Sequence, residues 1–253
     1  MTRLVARAGT RSVLQAWLDA HGTLLGAAAA RPGAFALRGR GTVWVVPAPE
    51  RESGERWVVR HYHRGGAVAR LLGDRYLAVG VPRPIRELRV ALEADARGVP
   101  TPPPVGAAVY GAPILYRGDL VTEYVPGSMD LAAVLFPEAA GAKPDPLMTD
   151  PPDPFTAMTA AGRLVRRIHE AGLLHPDLNL KNILLAGGGP SRVQVIDLDR
   201  ARFRDRPLGE PARRRMLDRF WRSAGKWQRR VRADEPLDPG LRAAFEDGYA
   251  AGD

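Results

Sequence analysis

The sequence predicts an α+β fold with two lobes, a small antiparallel β-rich lobe followed by a mainly helical lobe. Two short runs of β-branched and aromatic residues, 42–46 and 57–59, are separated by prolines and a glycine, which is typical of paired antiparallel strands. Two amphipathic helical patterns follow, near residues 84–97 and 155–171. Because the strand patterns come before the longer helix, the sequence favours two lobes of different secondary structure.

Local signals indicate where the elements begin and end. The first helical pattern places Ile85, Leu88 and Leu92 on one face and ends at Gly98, because the prolines that follow cannot continue a helix. The second helix begins after an Asp-Pro pair and ends at Gly172. Short strands are predicted at residues 105–109, 113–117, 120–125 and 193–196.

Three segments are predicted along the chain. Residues 1–33 are weakly patterned, and we expect a loosely attached or partly irregular N-terminal extension. Residues 34–124 would form the β-rich lobe and a hinge, and residues 125–253 would form the helical lobe. Within the helical lobe, residues 137–154 contain six prolines and predict an inserted surface loop.

The composition excludes several classes of protein. The 253 residues include no cysteine, which rules out a disulfide framework, a thiolate metal site and a cysteine nucleophile. The small or apolar run of residues 24–30 is seven residues long, and no uncharged apolar run in the chain reaches the about twenty residues that a spanning helix needs. Arginines interrupt the N-terminal segment where a signal peptide would be apolar. We therefore expect a cytoplasmic protein, soluble or peripheral to a membrane.

The candidate catalytic residues follow the second helix. Residues 175–182 read HPDLNLKN, and Asp197 comes fifteen residues after Asn182, at the end of a predicted strand. Carboxylate and carboxamide oxygens suit Mg²⁺, which shares its coordination shell with substrate phosphates, so Asn182 and Asp197 are the predicted metal ligands. Asp177 would then accept a proton from an attacking hydroxyl. A capped loop without catalytic function is the alternative interpretation.

This segment resembles the catalytic loop of the protein-kinase-like fold, which has the form H-x-D-L-x-x-x-N and precedes a strand that ends in a metal-binding Asp. The resemblance implies ATP and Mg²⁺ as cofactors and assigns Asp177 and Lys181 as catalytic residues. The other parts of that fold occur in the same order. They are a glycine turn with Gly39 and Gly41, Glu87 in the first N-lobe helix, and a hinge-like segment with Glu123 and Val125. The glycines would let backbone approach the nucleotide, and the hinge would accept the adenine.

One departure from the protein-kinase pattern concerns the strand lysine that grips the nucleotide phosphates. No lysine precedes residue 143, so that lysine is absent. Arg60, at the end of the run 57–59, is the predicted replacement, since its planar fork suits both a phosphate and a pairing with Glu87. A solvent-facing arginine at the end of a strand is the alternative.

A narrower resemblance rests on five short segments. They are residues 39–44 (GRGTVW), 60–66 (RHYHRGG), 72–76 (LGDRY), 177–179 (DLN) and 196–200 (IDLDR). Together they are similar to the signature of 3-deoxy-D-manno-octulosonic acid (Kdo) kinases of the lipopolysaccharide kinase family, over roughly residues 35–230. The resemblance implies phosphoryl transfer from ATP to the 4-hydroxyl of Kdo on an anionic, Kdo-containing lipid A precursor, at the cytoplasmic face of the inner membrane. A turn with loop histidines is the alternative for residues 61–66. His61 and His63 are predicted to pack or to contact substrate rather than to bind metal, because no third ligand is suggested nearby.

The charge of the chain is concentrated in one stretch. Residues 211–232 contain nine Lys and Arg and one acid, which is +8 of the net +9. An amphipathic helix packed on the helical lobe explains the pattern, and contact with anionic lipid head groups of the cytoplasmic membrane surface is the functional alternative. No nucleic-acid recognition motif accompanies the patch, so no nucleic-acid partner is expected.

Two other functions are compatible with the same residues. The first is a kinase of a different acceptor, such as a core heptose, an aminoglycoside-like small molecule or a protein. The second is a nucleotide-binding pseudokinase that regulates a partner. The presence of Asp177, Asn182 and Asp197 disfavours the pseudokinase.

Overall fold

The computed structural model describes most of the chain in two compact units. The described residues are 2–37, 43–49, 55–63, 73–111, 114–141, 151–186, 192–231 and 235–252. The first unit comprises Met1–Leu92 with Pro103–Tyr124, and the second comprises Glu93–Pro102 with Val125–Asp253. The α+β class is confirmed, because the first unit is built on an antiparallel sheet and the second is mainly helical.

The first unit contains a sheet whose described strands run antiparallel in the order β1-β6-β7-β4-β3-β2, with β5 paired to β7. The strands are β1 (Thr2–Ala6), β2 (Phe35–Leu37), β3 (Val43–Pro47), β4 (Arg56–His61), β5 (Tyr76–Leu77), β6 (Pro104–Gly111) and β7 (Leu115–Glu123). The predicted pairing of the first two strand runs is confirmed, with Val45 opposite Val58. The predicted strands 113–117 and 120–125 are instead one strand, β7. Gly118 pairs with Val109 inside this strand and does not interrupt it. The position needs a glycine because a Cβ there would lie 2.7 Å from Pro84 Cγ and 2.8 Å from Ala108 O.

The expectation of a loosely attached N-terminal segment is wrong. Strand β1 pairs with β6 along its whole length, and the helices α1 (Arg11–His21) and α2 (Leu24–Ala30) follow it. Leu14 and Leu24 are fully buried in the core of this unit, and the Thr10 hydroxyl donates a hydrogen bond to the Val105 carbonyl. The segment is therefore an integral part of the first unit, and its alanine-rich helix conceals the hydrophobic pattern.

The predicted helix near residues 84–97 is α3 (Arg83–Ala96). In the described part of the chain α1 and α2 precede it, so it is not the first helix of the N-lobe. Ile85 and Leu88 are fully buried and Glu87 is 4% exposed, so the face that carries Glu87 packs inward. Gly98 adopts a positive φ of 70° just beyond the helix, a backbone conformation that suits glycine.

The second unit combines helices with short strands. Its helices are α4 (Leu131–Leu135), α5 (Pro137–Ala140), α6 (Pro154–Glu170), α7 (Glu210–Val231) and α8 (Pro239–Ala251), and its strands are β8 (Ser128–Asp130), β9 (Leu173–Leu174), β10 (Ile183–Ala186), β11 (Val193–Val195) and β12 (Arg202–Phe203). The Asp153 carboxylate caps α6 by accepting from Thr156 N. Helices α6 and α8 approach closely, because a Cβ on Gly162 would lie 2.1 Å from Phe245 O.

The two compositionally unusual stretches of this unit have different structures. The proline-rich residues 137–154 begin with helix α5 rather than a loop, and residues 142–150 lie outside the described part of the chain. The basic stretch forms α7, with Met216, Phe220 and Trp227 among its buried residues, as an amphipathic packing helix predicts. Among the described residues, no helix combines the length and hydropathy that crossing a bilayer requires.

Candidate active site

Main-chain contacts hold the predicted catalytic loop of the second unit. His175, just beyond β9, is 1% exposed, and its Nε2 lies 3.2 Å from the Ile196 carbonyl oxygen, to which it donates. Burial lowers the pKa of His175, which keeps the ring neutral. Ile196 N in turn donates to the Asn182 carbonyl oxygen at 3.0 Å. These two bonds fix the loop against the segment that carries Asp197.

Two asparagines shape the loop around Asp177. The Asp177 carbonyl oxygen accepts from Asn179 Nδ2 at 2.6 Å and from Asn182 Nδ2 at 3.1 Å. Asn179 also accepts from Lys181 N through its side-chain oxygen. These bonds involve the main chain of Asp177. Its carboxylate lies at the surface, where the side chain is 43% exposed. The loop thus holds the main chain of Asp177 in place and exposes its carboxylate to solvent.

Asp197 has an unusual backbone conformation, with φ 62° and ψ 59°. It is the sole non-glycine residue with a positive φ in the described part of the chain. Such conformations cost free energy and cluster at functional sites. Asn182 and Asp197 supply one amide oxygen and one carboxylate, a set that suits Mg²⁺ held jointly with phosphates and water. The described residues contain no cluster of three or more His, Cys, Asp or Glu that would hold a metal by itself.

Two arginines flank the Asp177 carboxylate, and the sequence analysis assigned a role to neither. Arg200 Nη1 lies 3.7 Å from Asp177 Oδ2, and Arg219 Nη2 lies 3.7 Å from Asp177 Oδ1. Arg200 ends the 3₁₀ turn Leu198–Arg200, and Arg219 lies on α7. Only Arg200 had a sequence signal, since it closes the segment IDLDR, whereas Arg219 is one of many arginines in the basic stretch.

Lys181 lies in the same loop, but its ammonium group contacts a different side chain. Its Nζ is 5.2 Å from the centre of the Trp227 ring on α7. Nearby, burial raises the pKa of Asp130, and the positive charge of Lys181 opposes this shift. The structure therefore brings Asp177, Asn182 and Asp197 together, whereas the ammonium group of Lys181 is directed to Trp227.

The first unit contains the predicted ion pair between Arg60 on β4 and Glu87 on α3. Arg60 Nη2 lies 2.6 Å from Glu87 Oε2, and the side chain of Glu87 is 5% exposed. Tyr62, which the sequence analysis did not single out, donates its hydroxyl to the same Glu87 oxygen and faces Arg60, whose guanidinium is 5.0 Å from the ring centre. The pairing with Glu87 contradicts the alternative of an unpaired, solvent-facing arginine.

Of the other residues predicted to contact the nucleotide, the structure describes two and leaves two outside its described ranges. The Glu123 carboxylate forms an ion pair with Arg7 at 2.7 Å, and the Val125 carbonyl oxygen accepts from the Ser128 hydroxyl at 2.7 Å. Gly39 and Gly41 lie outside the described residues, between β2 and β3 in the sequence.

His61 belongs to a buried polar network. Its Nδ1 lies 2.6 Å from Asp119 Oδ1, and its Nε2 lies 3.1 Å from Asp74 Oδ2. Although burial opposes a positive charge, hydrogen bonds to Asp119 and Asp74 and their negative charges raise the pKa of His61. Asp119 is fully buried and also accepts from Tyr110 Oη and from Leu25 N at the start of α2. The network ties the N-terminal segment to the sheet.

The fold and these residues define a class of protein, a phosphotransferase with an alcohol group as acceptor. The sequence model of the "Lipopolysaccharide kinase (Kdo/WaaP) family" matches residues 35–235, and the chain belongs to this family. A 3-deoxy-D-manno-octulosonic acid kinase of Xanthomonas oryzae pv. oryzae (strain PXO99A) is 35% identical over 222 residues, which cover 85% of this chain and 79% of the relative. One of Vibrio parahaemolyticus is 31% identical over 166 residues, 65% of this chain and 62% of that protein.

A solved structure supports the fold independently. The structure of WaaP in complex with acyl carrier protein superposes with a TM-score of 0.55 at 20% identity, covering 99% of this chain and 90% of that chain. At this identity the likeness concerns the fold alone. The two-lobed kinase-like architecture predicted from the sequence is confirmed.

Proposed function

We propose that this sugar kinase of lipopolysaccharide core biosynthesis transfers the γ-phosphoryl group of ATP to the 4-hydroxyl of Kdo on a lipid A precursor. The observation that carries the proposal is the exposed Asp177 carboxylate, held by Asn182 in a loop that is bonded to the segment carrying Asp197. The Kdo kinases among the relatives support the choice of acceptor. The carboxylate lies where an acceptor hydroxyl can reach it from solvent.

In this mechanism the residues act mainly by position and charge. Asp177 orients the acceptor hydroxyl and takes its proton, and Asn182 and Asp197 would hold Mg²⁺. The metal, when bound, neutralises charge on the transferring phosphates. In the first unit, Arg60 would hold phosphate oxygens while Glu87 fixes its guanidinium.

The other nucleotide contacts and Lys181 are also part of the proposal. Gly39 and Gly41 would let backbone approach the nucleotide, and Glu123 and Val125 belong to the segment that would accept the adenine. Lys181, which neighbours Asn182 in the catalytic loop, keeps its predicted catalytic role here.

The test is incubation with ATP, Mg²⁺ and the Kdo–lipid A precursor, followed by mass spectrometry and by NMR of the phosphorylated position. Asp177→Asn keeps the shape of the side chain but removes the base, and should lower kcat by about 10²–10⁴-fold with little change in ATP affinity. Product at another hydroxyl would correct the acceptor position. Absence of product from the wild-type protein would reject the proposal and favour another acceptor or a pseudokinase.

The proposal includes a peripheral location on the cytoplasmic face of the inner membrane, supported by the exposed basic side of α7. Arg214, Arg222 and Arg229 are exposed, and each charge near an anionic surface contributes about 1 kcal/mol. Changing all three to Glu should lower binding to anionic vesicles at least 10²-fold, and salt should weaken the wild-type binding because screening acts over about 8–10 Å. Equal sedimentation of both proteins at low and high salt would contradict the membrane location.

A further inference from the structure

The two arginines beside Asp177 have no evident structural role. Their side chains are 66% exposed for Arg200 and 37% exposed for Arg219, and exposed ion pairs contribute little to stability. Both guanidinium–carboxylate distances are 3.7 Å, longer than the roughly 2.7–2.9 Å of a charge-assisted hydrogen bond. The pairs are therefore loose, and their contribution to folding is small.

Buried neighbours nevertheless hold the backbone of both arginines next to this carboxylate. Arg219 precedes Phe220, which is fully buried and stacks on Phe245 with ring centres 4.9 Å apart. Arg200 follows Leu198 and Asp199, which are 2% and 5% exposed. Two separate elements, the 3₁₀ turn and α7, thus each direct one guanidinium to a different oxygen of Asp177.

The local charge favours an anion. The two guanidinium groups and the Asp177 carboxylate that they flank carry a net charge of +1 among themselves, before Asp197 and the metal it would hold are counted. Each guanidinium has five N–H donors, and a loose pair with Asp177 leaves donors available for a planar or tetrahedral anion. A neutral acceptor would form weaker hydrogen bonds with these donors than an anion does, and a cationic acceptor would be repelled by the two guanidinium groups.

We infer that Arg200 and Arg219 bind an anionic group of the acceptor, a carboxylate or a phosphate, next to the hydroxyl that Asp177 deprotonates. When that anion binds, it takes over the guanidinium donors and leaves the Asp177 carboxylate to the hydroxyl. The two arginines therefore select sugar acids and phosphorylated sugars as acceptors. This inference rests on the proposed function and adds the residues that determine acceptor charge.

The test measures each of several protein variants with each of several altered acceptors. The acceptors are the deacylated Kdo–lipid A precursor, its methyl ester at the Kdo carboxylate and its phosphatase-treated form. The proteins are the wild type, Arg200→Gln, Arg219→Gln and Arg219→Lys, with Arg163→Gln on the exposed side of α6 as the matched control. Acceptor KM, ATP KM and kcat are measured for each combination.

We expect Arg200→Gln and Arg219→Gln to raise the acceptor KM about 10–100-fold, the fold-change that one charge-assisted hydrogen bond supplies. The ATP KM should stay within about twofold, Arg219→Lys should recover part of the loss, and Arg163→Gln should match the wild type. Removing the group that the arginines bind should abolish the difference between variant and wild type. The ester arm therefore identifies a carboxylate, and the phosphatase arm identifies a phosphate.

Two results would overturn the inference, and they are distinguishable. If the variants lose the same factor on all three acceptors, the arginines only support the loop, and the proposed function stands without the inference. If the wild-type protein forms no product with the intact precursor, the proposed function fails, and the inference fails with it.

Discussion

Replacement of Arg60 by alanine tests the proposal that this residue holds the phosphates of ATP in a first unit that has no lysine. The change removes a guanidinium that lies 2.6 Å from a Glu87 oxygen. If Arg60 also binds a phosphate of ATP, the loss of one charge-assisted hydrogen bond costs about 1.5–3 kcal/mol, so the ATP KM or Kd should rise about 10–150-fold. Arg60→Lys should recover only part, because a point charge replaces a fork.

The same change should also destabilise the protein. Glu87 is 4% exposed, and a buried carboxylate that loses a partner costs about 1–3 kcal/mol. The melting temperature should therefore fall by about 2–12 °C. The double variant Arg60→Ala/Glu87→Gln also removes the buried charge that has lost its arginine partner, so it should regain stability without regaining ATP affinity.

Calorimetry of ATP–Mg²⁺ binding and thermal denaturation separate these two effects. Arg89→Ala, on the exposed side of α3, is the control for loss of a positive charge. If Arg60→Ala binds ATP with wild-type affinity while its melting temperature falls, Arg60 has a structural role only. In that case another arginine, such as Arg56 or Arg64, must hold the phosphates.

Three further predictions concern the second unit. Burial lowers the pKa of His169 to about 3, against about 6.5 in the unfolded chain, so the free energy of unfolding should fall by up to about 1.4 kcal/mol per pH unit below pH 6.5. In urea denaturation at several pH values, His169→Gln should lose less stability between pH 6.5 and pH 3 than the wild type, and an equal loss would refute this. Gly162→Ala should destabilise the protein by about 1–3 kcal/mol, because its Cβ would meet Phe245 O, whereas Gly225→Ala within α7 should be neutral or stabilising. Equal melting temperatures of these two variants would contradict the reasoning. Asp197→Asn should weaken Mg²⁺-dependent nucleotide binding, measured by calorimetry, without unfolding the protein, because an asparagine side chain tolerates the positive φ. An unchanged affinity would mean that Asp197 is not a metal ligand.

Much of the fold could be predicted because its signals are local. The strand pair β3–β4 follows from β-branched residues bounded by breakers, and α6 follows from its 3.6-residue periodicity and its Asp-Pro start. The N-terminal segment could not be predicted in this way. Its place depends on the pairing of β1 with β6, about a hundred residues away, and on buried alanines that carry little hydrophobic signal.

The candidate site divides in the same way. The sequence by itself determined which residues are proposed as base and metal ligands, Asp177, Asn182 and Asp197, because base and metal chemistry restricts the residue types and the loop that carries them is short. It also suggested the Arg60–Glu87 pair, since a missing lysine requires another cation. The structure adds the contact between these two side chains.

Only the tertiary structure decided which further side chains surround these residues. Arg219 lies beside Asp177 because α7 packs through Phe220, and Tyr62 reaches Glu87 because β4 faces α3. The direction of the Lys181 ammonium group toward Trp227 is likewise a result of packing. The basic stretch contains nine Lys and Arg, and the pattern of its charges does not distinguish Arg219 from the others. Which arginine faces the Asp177 carboxylate depends on how the helix packs, and this is a long-range property that residue spacing does not encode.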